Sequence, residues 1–123
     1  MRLKRNRLQK CSHYKAIPKK DGEGNSYTEY GSPSPFLAET WPGGGRLQAE
    51  MYGIRLPGIR NLRLQGEYRE STGPTGKMEY VMNSDFSVTV NDGISLEDGG
   101  EKPDYRVVAV YPYRFLTLEV EKI

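Results

Sequence analysis

Long apolar runs are missing from this chain of 123 residues, and so are most of the side chains that carry reactive chemistry. No stretch approaches the ~20 apolar residues that a membrane-crossing helix needs, so no membrane partner is expected. The single cysteine, Cys11, excludes an internal disulfide and with it the stapled scaffold of a small secreted domain. The basic start "MRLKRNRLQK" is not followed by an apolar signal core, which argues against a secretory leader and for a reducing setting. There is one histidine, His13. A zinc site takes four Cys or His ligands, or three with an open position, and two candidates cannot supply it without carboxylates.

Cys11 and His13 stand two apart. On a strand that spacing puts them on one face some 6–7 Å apart, at ~3.3 Å per residue. That is about twice the reach of a thiol–imidazole hydrogen bond, so a nucleophile pair would need a bulge between them. The glycine-rich stretches "GEGN" (residues 22–25) and "PGGG" (residues 42–45) match neither a P-loop nor a dinucleotide fingerprint. "NDG" and "EDGGE" lack the alternating oxygen ligands of a calcium loop. Paired carboxylates for glycoside cleavage depend on separation in space, and no pair stands out. The residues therefore nominate no catalytic, metal-binding or cofactor-binding set, and predict a protein that is not an enzyme.

What the chain does have is turns and short strands. Glycine (14) and proline (8) punctuate it, while the hydrophobic share, 36 %, is low for one domain. Such a chain has a small core or draws stability from neighbouring subunits. Nine tyrosines argue against disorder and suit a surface that meets a partner. Residues 104–123, "DYRVVAVYPYRFLTLEVEKI", read as two strands joined at Tyr111-Pro112-Tyr113-Arg114. Leu116, Leu118 and Val120 fall on one face, with Thr117, Glu119 and Glu121 on the other.

Elsewhere, a strand to Ile17, a turn over residues 21–25 and a short strand around Tyr27 make a further hairpin. "SPSP" (residues 32–35) resists both helix and central strand. After the three glycines, Leu47, Ala49 and Met51 alternate with Arg46, Gln48 and Glu50, again as in a hairpin. Leu62, Leu64 and Tyr68 share a side. In "DFSVTVNDG", Phe86, Val88 and Val90 point inward before a turn. The best helical candidates are the N-terminal arm and one turn over residues 37–40. The predicted fold is all-β: a small barrel or sandwich of antiparallel strands with long loops and little helix.

Charge is unevenly spread. Arg2, Lys4, Arg5, Arg7 and Lys10 give the first ten residues +5, leaving 13 basic against 16 acidic side chains in the rest. Residues 1–10 thus form a basic arm on a slightly acidic domain, residues 11–123. The arm either neutralises phosphate or an acidic neighbour, or is a solvated tail. Arg55, Arg60, Arg63, Arg69 and Lys77 form a looser basic stretch between Tyr52 and Tyr80, with Glu67, Glu70 and Glu79 among them. Basic residues interleaved with aromatics can track single-stranded nucleic acid or line a channel that DNA passes through. A mixed-charge solvated face has the same composition.

The order of these features resembles the small head–tail connector proteins of tailed bacteriophages and prophages: head-closure, adaptor or stopper proteins. The likeness lies in "HYKAIPKKDGEGNSYTEYG" after a basic start, "FLAETWPGGGRLQAEMYG", and "DGISLEDGG" followed by the closing strand pair. The resemblance implies a compact β-barrel with a long excursion around residues 53–77. Many copies would form a ring in the virion neck, between the portal of the filled head and the tail, after a stay in the bacterial cytoplasm. Its partners would be further copies of itself, a portal or adaptor protein, a tail protein and packaged double-stranded DNA held without sequence reading. On that reading Arg2, Lys4, Arg5, Arg7, Arg55, Arg60 and Arg63 would face DNA or the portal. Tyr52, Tyr111 and Tyr113 would meet neighbouring subunits or the tail. The competing reading is a nucleic-acid-binding β-barrel module.

Overall fold

The computed structural model describes residues 7–73, 76–82, 86–96 and 102–123. Along the chain run β1 (Leu8–Tyr14), β2 (Ala16–Lys20), β3 (Ser26–Tyr30) and β4 (Ser34–Pro42), then α1 (Gly45–Tyr52) and a 3-10 segment (Gly53–Gly58). They are followed by β5 (Ile59–Leu64), β6 (Tyr68–Thr72), β7 (Met78–Met82), β8 (Phe86–Val88), β9 (Gly93–Ser95), β10 (Tyr105–Pro112) and β11 (Leu116–Lys122).

Six strands close into an antiparallel barrel in the order β1-β4-β5-β11-β10-β9, with β9 returning to β1. Closure leaves these six strands no open edge. The closing hairpin forms as the alternation predicts, with Leu116, Leu118 and Val120 fully buried. Cross-strand partners share a face, so Leu118 opposite Leu62 and Ala38 opposite Leu64 identify the inner wall. Cys11, Phe36 and Val107 join it to form the core.

Three insertions decorate the barrel. The β2–β3 hairpin turns at residues 21–25, as expected, where Asp21 Oδ1 accepts the N–H groups of Glu23 and Asn25. The meander β6-β7-β8 sends Met82 and Val88 into the core and lays Tyr68, Tyr80 and Phe86 against it. Between β4 and β5 stands α1. The excursion expected around residues 53–77 is thus divided, because β5, a barrel strand, runs through the middle of it.

Several local expectations need correction. The Leu47-Ala49-Met51 alternation is not a hairpin but α1: Arg, Leu, Gln, Ala, Glu and Met are all strong helix formers, and three alternations cannot separate the two periods. Gln48 Oε1 accepts the Gly44 N–H at 2.9 Å, satisfying one donor at the helix start. Residues 37–40, a helical candidate, lie in β4. The arm is shorter than ten residues, since Leu8 and Lys10 already pair with Glu39 and Leu37. Val90 does not point inward; β8 ends at Val88 and Val90 is exposed in the following turn.

Two glycines are required by close approach. Gly43 N–H donates to Ile59 O at 2.8 Å, and a Cβ on Gly43 would meet that same oxygen at 2.8 Å. At Gly93 a Cβ would lie 2.6 Å from the Pro103 ring and 3.0 Å from Tyr30. Gly93→Ala is therefore expected to destabilise the fold by about 1–3 kcal/mol through overpacking. Gly22→Ala, with open space around it, should leave the denaturation midpoint almost unchanged. Equal midpoints for the two variants in urea titrations would contradict this packing.

Candidate functional surfaces

The first surface is built on the barrel wall where β1, β4 and β5 lie side by side. Arg7, Glu39, Thr40, Trp41 and Arg63 line one shallow depression. Arg63 lies over the Trp41 indole, 5.1 Å from guanidinium carbon to ring centroid, a cation–π arrangement. Arg7 is mostly exposed, and its Nη1 stands 3.8 Å from Glu39 Oε1. Arg60 Nη2 donates to Thr40 Oγ1 at 3.2 Å, and Thr40 Oγ1 in turn bonds Gln9 Oε1 at 3.3 Å. Of the basic residues singled out in the sequence, the fold gathers Arg7 and Arg63 here, while Arg60 reaches only Thr40 at its edge. Arg2, Lys4 and Arg5 lie outside the described residues.

Arg55 is not part of this group. It forks onto Glu121 with two hydrogen bonds, Nε to Oε2 at 2.6 Å and Nη2 to Oε1 at 2.7 Å. Arg106 adds a third to the same carboxylate. Arg55, followed by Arg106, holds the Glu121 carboxyl below its ordinary range. Arg55 also sits over the Tyr52 ring.

The second surface is the outer wall beneath α1. Alternation predicts Thr117 and Glu119 on the face away from the core, and there they are, yet both are buried, Glu119 to 4 % exposure. The helix and the 3-10 segment supply the cover. Gln48 Nε2 donates to Asn61 Oδ1 at 2.6 Å, and the Tyr52 and Tyr111 phenols both hydrogen-bond to Glu119. Glu119 Oε2 has no hydrogen-bond partner among the described residues. Tyr113 stacks on Tyr111 and stays 62 % exposed. Of the three tyrosines proposed for contact with neighbours, two are therefore engaged inside the subunit and one is free to meet a partner.

The third is a buried polar knot. His13 Nε2 and Asp92 Oδ2 are 2.7 Å apart, 2 % and 0 % exposed, and the Phe86 ring stacks on the imidazole. Asp92 also accepts the N–H groups of Ala16 and Thr89, with Lys15 Nζ at 3.7 Å. Cys11 shares the inner face but turns its thiol to Gln9 O, and burial pushes that thiol up to about 11. Thiol and imidazole thus have separate partners. Among the described residues no three His, Cys, Asp or Glu side chains cluster as metal ligands, and no helix there is long and apolar enough to cross a membrane.

Sequence reasoning missed α1, Glu119 and Asp92 as organising elements. Helix propensity in "GRLQAEMY" was the available signal for the first. Asp92 was legible as a turn former, but its buried partners come from β1 and the start of β2, far away in the chain.

The Tyr111 phenol is pushed up to about 12, chiefly by its hydrogen bond to Glu119 and then by burial. The Tyr52 phenol is raised further, by burial first and then by the same carboxyl. A phenol raised in the folded state contributes stability that is complete below its unfolded value of 10.0 and is lost as pH climbs toward 12. Phenolate absorbance should show a late-titrating phase that Tyr111→Phe diminishes and Glu119→Gln moves to lower pH. A titration curve unmoved by Glu119→Gln would refute the coupling. No protein-family model, curated protein or solved structure matches this chain.

Proposed function

We propose that this chain is a structural subunit of the neck of a tailed phage or prophage. Many copies form a ring that joins the portal of the filled head to the tail and helps to retain DNA. The observation that carries the reading is the exposed apolar side of the helical excursion. Leu47 is 71 % exposed, Met51 51 % and Ile54 99 %. Single exposed apolar residues are ordinary, but three on one short excursion mark a contact surface. A small closed barrel that carries its contacts on insertions suits a subunit stabilised in part by its neighbours. The test is mass spectrometry of purified tailed particles from the lysogen that encodes the chain. The expected result is its presence in many copies per particle, with gene deletion leaving filled heads without tails. Finding it only in host complexes, and never in particles, would end this reading.

A second reading, a nucleic-acid-binding barrel module, is favoured by one observation: Arg7 and Arg63 line one depression with Trp41. Guanidinium groups next to an indole offer phosphate neutralisation and a stacking platform together. Binding of a short single-stranded DNA should then fall steeply with salt. The double substitution Arg7→Ala, Arg63→Ala should flatten the log–log salt slope by about 1.4, roughly 0.7 per phosphate contact removed on a single strand. No binding at low salt removes this reading.

A further inference from the structure

α1 and the 3-10 segment after it present two sets of side chains with opposite roles. Gln48, Tyr52 and Arg55, spaced by four and three residues, turn to the barrel and bond Asn61, Glu119 and Glu121. Leu47, Met51 and Ile54, at the same spacing one position earlier, face outward. Leu47 and Met51 have the i, i+4 anchor spacing of a helix that seats in an apolar groove, and Ile54 follows them on the 3-10 segment. Here the anchors have no groove within their own subunit, because the wall beneath α1 is polar and already bonded. No residue of α1 is buried.

The same chain carries a groove. Met78, Tyr80, Val90 and Val110 line a cleft where the meander meets β10, together with Lys77, Thr89 and Asn91. Met78 and Val90 are each nearly half exposed. Charge matches as well. Glu50, between Leu47 and Met51, is 65 % exposed, and its partner within the helix, Arg46, is almost wholly in solvent. An exposed pair of this kind is worth little, so Glu50 can turn to an incoming cation at small cost.

We propose that α1 and the 3-10 segment of one copy seat Leu47, Met51 and Ile54 in the Met78–Val90 cleft of the next copy, with Glu50 against Lys77. The inference rests on the ring reading above and names the surfaces that would build it. Stripe and cleft are different patches, so the contact is heterologous and propagates head to tail, closing into a ring where the rotation permits. Three anchors make a patch well short of the ~800 Å² per partner of a stable complex. The free chain is therefore monomeric when dilute and associates when neighbours are concentrated or held in place.

The buried, unreactive Cys11 thiol allows a direct test on the full chain. Ile54→Cys and Val90→Cys are made separately, one with a size tag, and oxidised alone and as an equimolar mixture at high concentration. The mixture should give a disulfide-linked heterodimer at least tenfold in excess of either homodimer. Leu47→Asp in the Ile54→Cys chain should abolish it while the melting temperature stays unchanged. No heterodimer, or Ile54→Cys homodimers formed as readily as the mixed species, overturns the contact. Failure here is separable from failure of the neck reading. A chain present in particles but without this cross-link retains the neck and loses the interface. A cross-link in a chain absent from particles leaves the interface and loses the neck.

Discussion

The barrel closes through a strand of three residues, and the restraint on that strand is the buried carboxylate just before it. β9 must bond β1 on one side and β10 on the other, and three residues provide few ladder bonds with which to do so. Asp92 supplies the rest. Its side chain binds His13 on β1, the backbone of Ala16 at the start of β2 and the backbone of Thr89 in its own turn. Its carbonyl accepts the Val107 N–H of β10. One residue therefore ties both neighbours of β9 to the turn that delivers it. A buried carboxylate left without such partners would be strongly destabilising, so these bonds offset the cost of burying Asp92.

Around this closure the molecule divides its two wall surfaces unequally. The inner wall is packed in the ordinary way with Leu, Val, Phe and Cys. The outer wall at Asn61 and Glu119 is polar yet buried, and α1 is joined to it by hydrogen bonds from Gln48 and Tyr52. Glu121 takes up Arg55 of the 3-10 segment, while Leu47, Met51 and Ile54 face solvent. An arrangement of this kind is poor use of hydrophobic area for a monomer. It becomes favourable once the exposed stripe meets a partner, and that physical tension underlies the assembly reading.

The arginines show the same separation of local pattern from spatial outcome. Arg55, Arg60 and Arg63 lie within nine residues, yet the first turns to Glu121 at the end of β11, the second bonds Thr40, and only the third joins Arg7 around Trp41. β5 begins at Ile59, so Arg55 stands on the helical excursion and the other two on the barrel wall. Arg60 and Arg63, three apart, occupy opposite faces of β5, so only Arg63 lines the depression.

By itself the sequence determined the all-β class, the closing hairpin, the inward set Leu116, Leu118 and Val120, and the β2–β3 hairpin with its turn. Each of these follows from alternation or turn chemistry that operates over a few neighbouring residues. Only the tertiary structure decided that Leu47, Ala49 and Met51 belong to a helix and that Thr117 and Glu119 are buried on the far side of their strand. It alone brought Arg7, from the arm, to Arg63. The physical reason is distance along the chain. Whether an outward-facing side chain meets water depends on what is laid over it, and Tyr52, which joins Tyr111 on Glu119, comes from more than sixty positions earlier, which no local period can reveal.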